Sequence, residues 1–515
     1  MSLNEQAEMT PTKTTGPHGS VWPFLVSLVI LAGMAFFAWA FCRGPKVTSA
    51  FEKNLPKFSA RSAITIVQDL TGDGIPHPAG TGQNEIVRTR LENRITELGI
   101  SFELQHAQHH VRRDPRRAVV QLENVLFRID ADDPADDRML IMIVSHYDST
   151  ENGPGAADAA SGVSVVMEVA RLVKITKGRK HDVLFLITDG EESGLLGASR
   201  FVEENLLAKD VDICINLEAR GTSGPSLMFQ TGPGNLELVR LMSKHIQRPF
   251  TGSLFDTIYR TLPNGTDFTE FMNVGIRGYN FAFIKSANNY HTPDDKAANL
   301  DMQSLQHHGD NAWQMTKALM ALPERLGGPR GGSDSTAASA VWFDLLGWKV
   351  IWWPASWSIW LCVAAWLGWL AGMFRGRKHS HSNDVPDSSA YQFVFAFAIS
   401  MGLVFTALVL NGSIELALRL DDGMRVRWPD GLVAPAKFLA FACSAIAILT
   451  GWVVIQNRKQ VSATWYRNLT LSTVGLWLIA ATASAIFLPG GVYLFLVPGG
   501  LAAIACCIQS NSRVW

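Results

Sequence analysis

Met139-Leu-Ile-Met-Ile-Val-Ser-His-Tyr-Asp148 opens on six apolar residues and closes on a histidine and a carboxylate. Ser149-Thr-Glu-Asn-Gly-Pro-Gly-Ala-Ala-Asp158 then carries the chain through a Gly/Ala-rich turn to a second carboxylate. A short, unbroken apolar run bounded by turn residues suits a buried strand. Val183 to Thr188 and Val211 to Leu217 repeat the pattern, and Gly278 to Ile284 adds a later strand. Ser161 to Val173 sets Val163, Val166, Ala170 and Val173 at helical spacing. Leu91 to Leu98, Leu195 to Leu206 and Asp301 to Met320 read as further helices. This alternation predicts an α/β domain.

Catalytic groups in such domains gather beyond the carboxyl ends of strands, where loops converge on a rigid base. His146 and Asp148 follow the first strand, Glu191 and Glu192 the second, and Glu218 comes directly after Leu217. His291 follows the last strand after a short polar loop, and Asp158 precedes the Ser161 helix. Each has an ordinary reading when taken alone. Asp158 would cap a helix, Glu191 and Glu192 would be a solvated pair, and either histidine would be a surface or hydrogen-bonded residue. Their common location favours a shared role. Two imidazoles and three carboxylates are a sensible ligand set for two zinc ions, because zinc accepts His nitrogen and carboxylate oxygen and one carboxylate can bridge two ions.

The rest of the 515 residues divides between two solvents. Val21 to Cys42 is apolar and uncharged over about the ~20 residues that cross a bilayer, and its aromatic end followed by Arg43 reads as an uncleaved anchor. Five more spans are expected at about 350–374, 392–410, 434–455, 469–488 and 492–508, with Trp342, Trp348, Trp352, Trp353 and Trp357 near the first, as at a membrane interface. The expected organisation is a tail over 1–20, an anchor over 21–42, a catalytic domain over 48–325, a Gly/Ser-rich tether over 326–340 and a multispan domain over 341–515. Activity is expected to reside wholly in the polar domain. Arg375, Arg377 and Lys378, and then Arg458, Lys459 and Arg467, mark two short loops as cytoplasmic. Counting back puts the catalytic domain on the extracytoplasmic side, in a periplasm or an organelle lumen. A formal net charge of −1 excludes a general nucleic-acid binder. Cys214 is the one cysteine of the polar half, so no disulfide framework or Cys-based zinc site is available there.

The segments Ser145-His-Tyr-Asp148, Gly155-Ala-Ala-Asp158, Asp189-Gly-Glu-Glu-Ser-Gly-Leu-Leu-Gly197, Asn216-Leu-Glu-Ala-Arg-Gly221 and Tyr290-His-Thr-Pro-Asp294 resemble the zinc motifs of the dizinc aminopeptidase and glutamate carboxypeptidase superfamily. Gly265-Thr-Asp-Phe-Thr-Glu-Phe271 and Gly278-Tyr-Asn-Phe-Ala-Phe-Ile284, with the apolar tail, make the chain most similar to its membrane-anchored branch, the endoplasmic reticulum metallopeptidase and vacuolar membrane protease relatives. The resemblance spans about Thr48 to Arg325. It implies a central mixed, mostly parallel sheet flanked by helices, joined to an all-α transmembrane region. It also implies that His146 and Glu218 bind one zinc, that Glu192 and His291 bind the other, and that Asp158 bridges them. Glu191 would be the general base, and Asp148 would orient His146. Ala159 stands where the family usually has Asp or Asn, often across a cis peptide bond. The implied activity is removal of N-terminal residues from peptides by a zinc-activated water. The alternatives are a glutaminyl-cyclase-like acyltransferase, a carboxypeptidase using Arg220, Arg260 or Arg277, and an inactive receptor-like binding module.

Overall fold

Leu140–His146 and Asp182–Thr188 are buried along their whole length, so each strand is packed on both faces, the condition that makes a parallel strand read as a continuous apolar run. The computed structural model describes residues 44–48, 56–110, 119–326, 338–377 and 463–509. In chain order these form α1 (Ala60–Thr71), α2 (Gly82–Glu97), β1 (Glu103–His110), β2 (Val119–Ile129), β3 (Leu140–His146), α3 (Gly162–Ile175), β4 (Asp182–Thr188), α4 (Leu196–Glu204), β5 (Val211–Ala219) and β6 (Leu227–Thr231). There follow α5 (Leu236–His245), α6 (Ser253–Tyr259), α7 (Asp267–Asn273), β7 (Arg277–Phe283), α8 (Met302–Met320), the hairpin β8 (Ala340–Leu345) and β9 (Lys349–Pro354), α9 (Trp357–Arg377), α10 (Ala463–Phe487) and α11 (Tyr493–Gln509).

The first seven strands make one mixed sheet in the order β1-β2-β4-β3-β5-β7-β6. The inner strands β4, β3, β5 and β7 run parallel, while β1, β2 and β6 pair antiparallel at the margins. The expected strands and helices of the polar half are present within a few residues of their predicted bounds, except that the helix expected from Leu91 already begins at Gly82. Alternate residues serve opposite faces. Ile141, Ile143, Phe185, Ile187, Ile213 and Ile215 join α1, α3 and α8 in the larger core. Leu140, Met142, Val144, Leu184, Leu186 and Cys214 join α4 and α7 in the second. Gly162 opens α3 where a Cβ would lie 2.3 Å from Ser145 Oγ and 2.7 Å from the Leu217 carbonyl, so only glycine brings this helix against the ends of β3 and β5.

The expected first span of the multispan region begins later than its apolar pattern suggests. Residues 349–354 are a strand, and helix starts at Trp357. The hairpin looks like part of a span because it is apolar on both faces. Ala340, Trp342, Val350 and Trp352 pack into the core of the α/β domain, while Val341 and Trp353 pack against α9, α10 and α11. Trp342 is therefore a core residue, donating from Nε1 to Thr251 Oγ1 at 2.8 Å, whereas Trp348 and Trp357 are exposed. Among the described residues, 357–374 and 468–487 are long and apolar enough to cross a membrane, and 493–507 is a shorter apolar helix. The anchor, the expected spans at 392–410 and 434–455 and most of the tether lie outside the described residues.

Candidate metal centre

The parallel strands bring the sequence-predicted residues together at their carboxyl ends. His146 is the last residue of β3, Glu218 is next to last in β5, Glu191 and Glu192 lie just past β4, and His291 lies eight residues past β7. Asp158 sits between β3 and α3 in the 156–161 turn, joined to Ala159 by a cis peptide bond. It does not cap α3, whose N-cap position is Ser161.

His146 Nε2 is 3.4 Å from Asp158 Oδ1 and 3.6 Å from Glu218 Oε2. His291 Nε2 is 3.1 Å from Asp158 Oδ2 and 2.9 Å from Glu192 Oε1. Two sets of three donors result, His146–Asp158–Glu218 and Asp158–Glu192–His291, each within 4.8 Å, and Asp158 belongs to both. His146, Glu191 and Glu192 form a third set of the same size. Glu191 Oε2 lies 4.0 Å from His146 Nε2.

The donor chemistry fits a zinc pair. His146 Nδ1 lies 3.1 Å from the Asp148 carbonyl oxygen, which fixes that nitrogen as the donor and turns the lone pair of Nε2 into the cluster. His146 Nε2 and Glu192 Oε1 are buried and make no well-directed hydrogen bond, an arrangement that is costly unless a cation satisfies them. Four carboxylates face two imidazoles, and the electrostatics follow. Burial, joined by the charges of Glu218, Asp267 and Glu192 and opposed by His146, holds the Glu191 carboxyl well above the usual carboxylate range. Burial and the charge of Asp158 push Glu192 up to about 7. Burial disfavours the charged imidazoles, yet the carboxylates facing them outweigh it, lifting His146 well above its ordinary value and His291 to about 9. The cluster is short of positive charge, and bound cations reverse such shifts.

The supporting residues are as specific as the donors. Asp148 Oδ1 and Oδ2 accept the backbone N–H groups of Glu191 and Glu192 at 3.0 and 3.2 Å, so one carboxylate ties the β3 loop to the β4 loop. Asp295 does the same for the other side. Its oxygens accept from the Ala157 and Asp158 N–H groups at 2.7 and 3.2 Å, clipping the shared donor to the loop that carries His291. Asp267 is fully buried, takes a hydrogen bond from Thr188 Oγ1, and is pushed up to about 7 by burial against the pull of His146. His291 itself has φ 54°, and its ring stacks on Tyr290 with centroids 3.6 Å apart. A histidine in the left-handed region at such a place is strain retained by its surroundings. Asp267 and Asp295 were not singled out from the sequence. The first lies inside Gly265–Phe271 and the second directly follows Tyr290–Asp294, so adjacency to a motif was the available signal.

Of the arginines considered for a carboxylate pocket, Arg277 starts β7 at the end of the strand away from the cluster, and Arg260 is paired with Asp256 at 2.9 Å. Arg220 sits at the site, 5.3 Å from the Tyr290 ring centre, with the Asn264 amide oxygen turned to accept from it at 2.6 and 2.8 Å.

Residues 124–316 match Peptidase family M28. Endoplasmic reticulum metallopeptidase 1 of Rattus norvegicus is 29% identical over 375 residues, covering 68% of this chain and 40% of that protein. The vacuolar membrane protease of Eremothecium gossypii is 28% identical over 309 residues, covering 56% of this chain and 29% of that protein. The chain thus spans less than half the length of either relative. Among solved structures, the aminopeptidase from Aneurinibacillus sp. strain AM-1 is 14% identical with a TM-score of 0.43, covering 55% of this chain and all of that one.

Proposed function

The chain carries a Peptidase family M28 domain over residues 124–316, and from that premise we propose a membrane-bound, zinc-dependent exopeptidase that removes N-terminal residues from peptides. The observation that carries the reading is the pair of three-donor sets sharing Asp158. His146 and Glu218 would hold one zinc, Glu192 and His291 the other, and Asp158 both. Zinc ions held there would supply Lewis acidity and make a water acidic enough to react near neutral pH. Glu191 is the general base. Its carboxylate takes the proton of the attacking water and passes it to the leaving amine. Asp148 holds His146 and the Glu191–Glu192 backbone in register, which keeps that proton acceptor at a fixed distance from the donors. The ring of carboxylates favours a positively charged substrate amine, and this supports the amino-terminal preference.

Arg220 supports a second reading, a carboxypeptidase, because it is a half-buried guanidinium beside the cluster able to pair with a substrate carboxylate. One experiment separates the two. Purified full-length chain loaded with zinc is offered aminoacyl substrates and peptides blocked at either end, and its metal content is measured. Two metals with cleavage confined to substrates that have a free α-amine supports the first reading; cleavage of amine-blocked peptides refutes it.

A further inference from the structure

The ends of three apolar helices meet one face of the α/β domain. α9 begins three residues after β9, and the single turn Pro489–Gly491 joins the end of α10 to the start of α11. That turn lies on α6. Ser253 Oγ donates to the Gly490 carbonyl at 2.7 Å, and a Cβ on Gly490 would fall 2.0 Å from Thr257 Oγ1 and 2.4 Å from the Ser253 carbonyl. Phe343 of β8 stacks on Tyr493 at 4.7 Å. The level at which these helices stop is therefore the level of α6 and the hairpin.

Just beyond this seam, among the described residues, large apolar side chains are exposed. Asp256 is buried on the inner side of α6, whereas Phe255 and Ile258 are 37% and 44% exposed on its outer side, and Leu262, in the turn that follows the helix, is 44% exposed. On the hairpin, Leu345 and Ile351 belong to the face that meets α9–α11, yet they are exposed, and Trp348 at the tip is 49% exposed with Lys349 Nζ 5.5 Å from its ring centre. Large apolar side chains clustered in this way mark a contact surface, and a tryptophan beside a lysine is the pairing that suits a headgroup boundary.

We propose that this rim, Phe255, Ile258 and Leu262 with Leu345, Trp348 and Ile351, seats in the headgroup–acyl boundary of the bilayer, so that the α/β domain lies on the lipid surface and is not held above it on a stalk. The occupant is lipid because the rim is continuous with the ends of helices apolar enough to span. The inference rests on the reading that α9 and α10 cross a membrane. It also gives the site a consequence: α6 carries lipid-facing Ile258 next to Tyr259, whose buried hydroxyl feels the charges of Arg220, Glu218 and Glu191. A residue that feels the charges of the cluster is thus the chain neighbour of one that faces lipid.

The test uses the full chain in nanodiscs holding one copy each. An environment-sensitive fluorescent amino acid is placed in turn at Ile258, Trp348, Leu367 in the middle of α9, and Glu103 on β1, the edge strand farthest from β6. Lipids bearing a nitroxide near the headgroup end of the acyl chain should quench positions 258 and 348 strongly and position 103 no more than background, with aqueous iodide giving the reverse order. Lipids with the nitroxide near the chain terminus should quench position 367. If 367 is quenched but 258 and 348 behave like 103, the rim proposal is overturned while the spanning reading stands. If 367 is not quenched either, both fall.

Discussion

Asp158 gives one oxygen to each histidine, Oδ1 toward His146 and Oδ2 toward His291, and so belongs to both halves of the cluster. Asp158→Ala is therefore expected to strip metal from the protein, measured by elemental analysis after gel filtration. Glu191→Gln should keep wild-type metal content and lose at least ~10²-fold in turnover, because glutamine preserves shape but accepts no proton. Loss of metal in Glu191→Gln would instead assign Glu191 to the third donor set. Asp148→Asn should weaken metal binding by about 10–100-fold, the usual effect of disturbing a group that orients a ligand, read by competition with a chromophoric chelator. These donors were legible in the sequence because each sits at a strand end or in the loop that follows one, inside a short conspicuous motif. Asp295 and Asp267 were not, because each acts through a distant partner, a backbone amide of residue 158 or the hydroxyl of Thr188.

Helix α8 carries two adjacent buried histidines that take no part in the cluster. His307 Nδ1 accepts from the Ser226 N–H at 3.0 Å and its Nε2–H donates to the Arg248 carbonyl at 2.8 Å, while His308 Nδ1 lies 2.9 Å from Ser226 Oγ. Burial holds His307 down to about 4 and His308 to about 3. Unfolded, both titrate near ~6.5. Their neutral burial is thus without penalty above that pH. Below it the unfolded chain binds protons that the folded chain refuses, and each histidine removes up to about 1.4 kcal/mol of stability per pH unit down toward pH 4. Asp310, lifted to about 6 by burial, works in the opposite direction, so the decisive measurement is a difference. The denaturant midpoint should fall less between pH 7 and pH 5 in His308→Leu than in wild type. Among the strands, those buried on both faces were readable from composition alone. β1, with the sequence Glu-Leu-Gln-His-Ala-Gln-His-His, was not, because an edge strand with water on one side has no need of an apolar run. The β8–β9 hairpin was read as membrane, since local hydropathy cannot distinguish a protein core from lipid.

Across the whole molecule, that hairpin moves the useful boundary of the catalytic unit. A fragment ending at Arg325 lacks Trp342, whose removal from a core costs about 3–5 kcal/mol by itself, and also leaves Ser253 and Thr251 without their partners in β8. It is expected to melt well below a fragment continued through Ala355, and equal melting temperatures would restore the shorter boundary. Sidedness is open to a direct assay. Protease should leave residues 48–325 uncut in sealed microsomes and should cut them in intact spheroplasts, in keeping with the basic loops near 375–378 and 458–467, and the opposite pattern would place the substrates in the cytosol. The two-faced hairpin has one further consequence, for how such chains can change over generations. Inserting or deleting a single residue in β8 would exchange the sides on which Trp342 and Phe343 project, and one in β9 would do the same to Trp352 and Trp353. Length variation should therefore be confined to the tip at 346–348, and a lineage that exchanged its membrane portion for another would have to inherit the legs together with the enzyme.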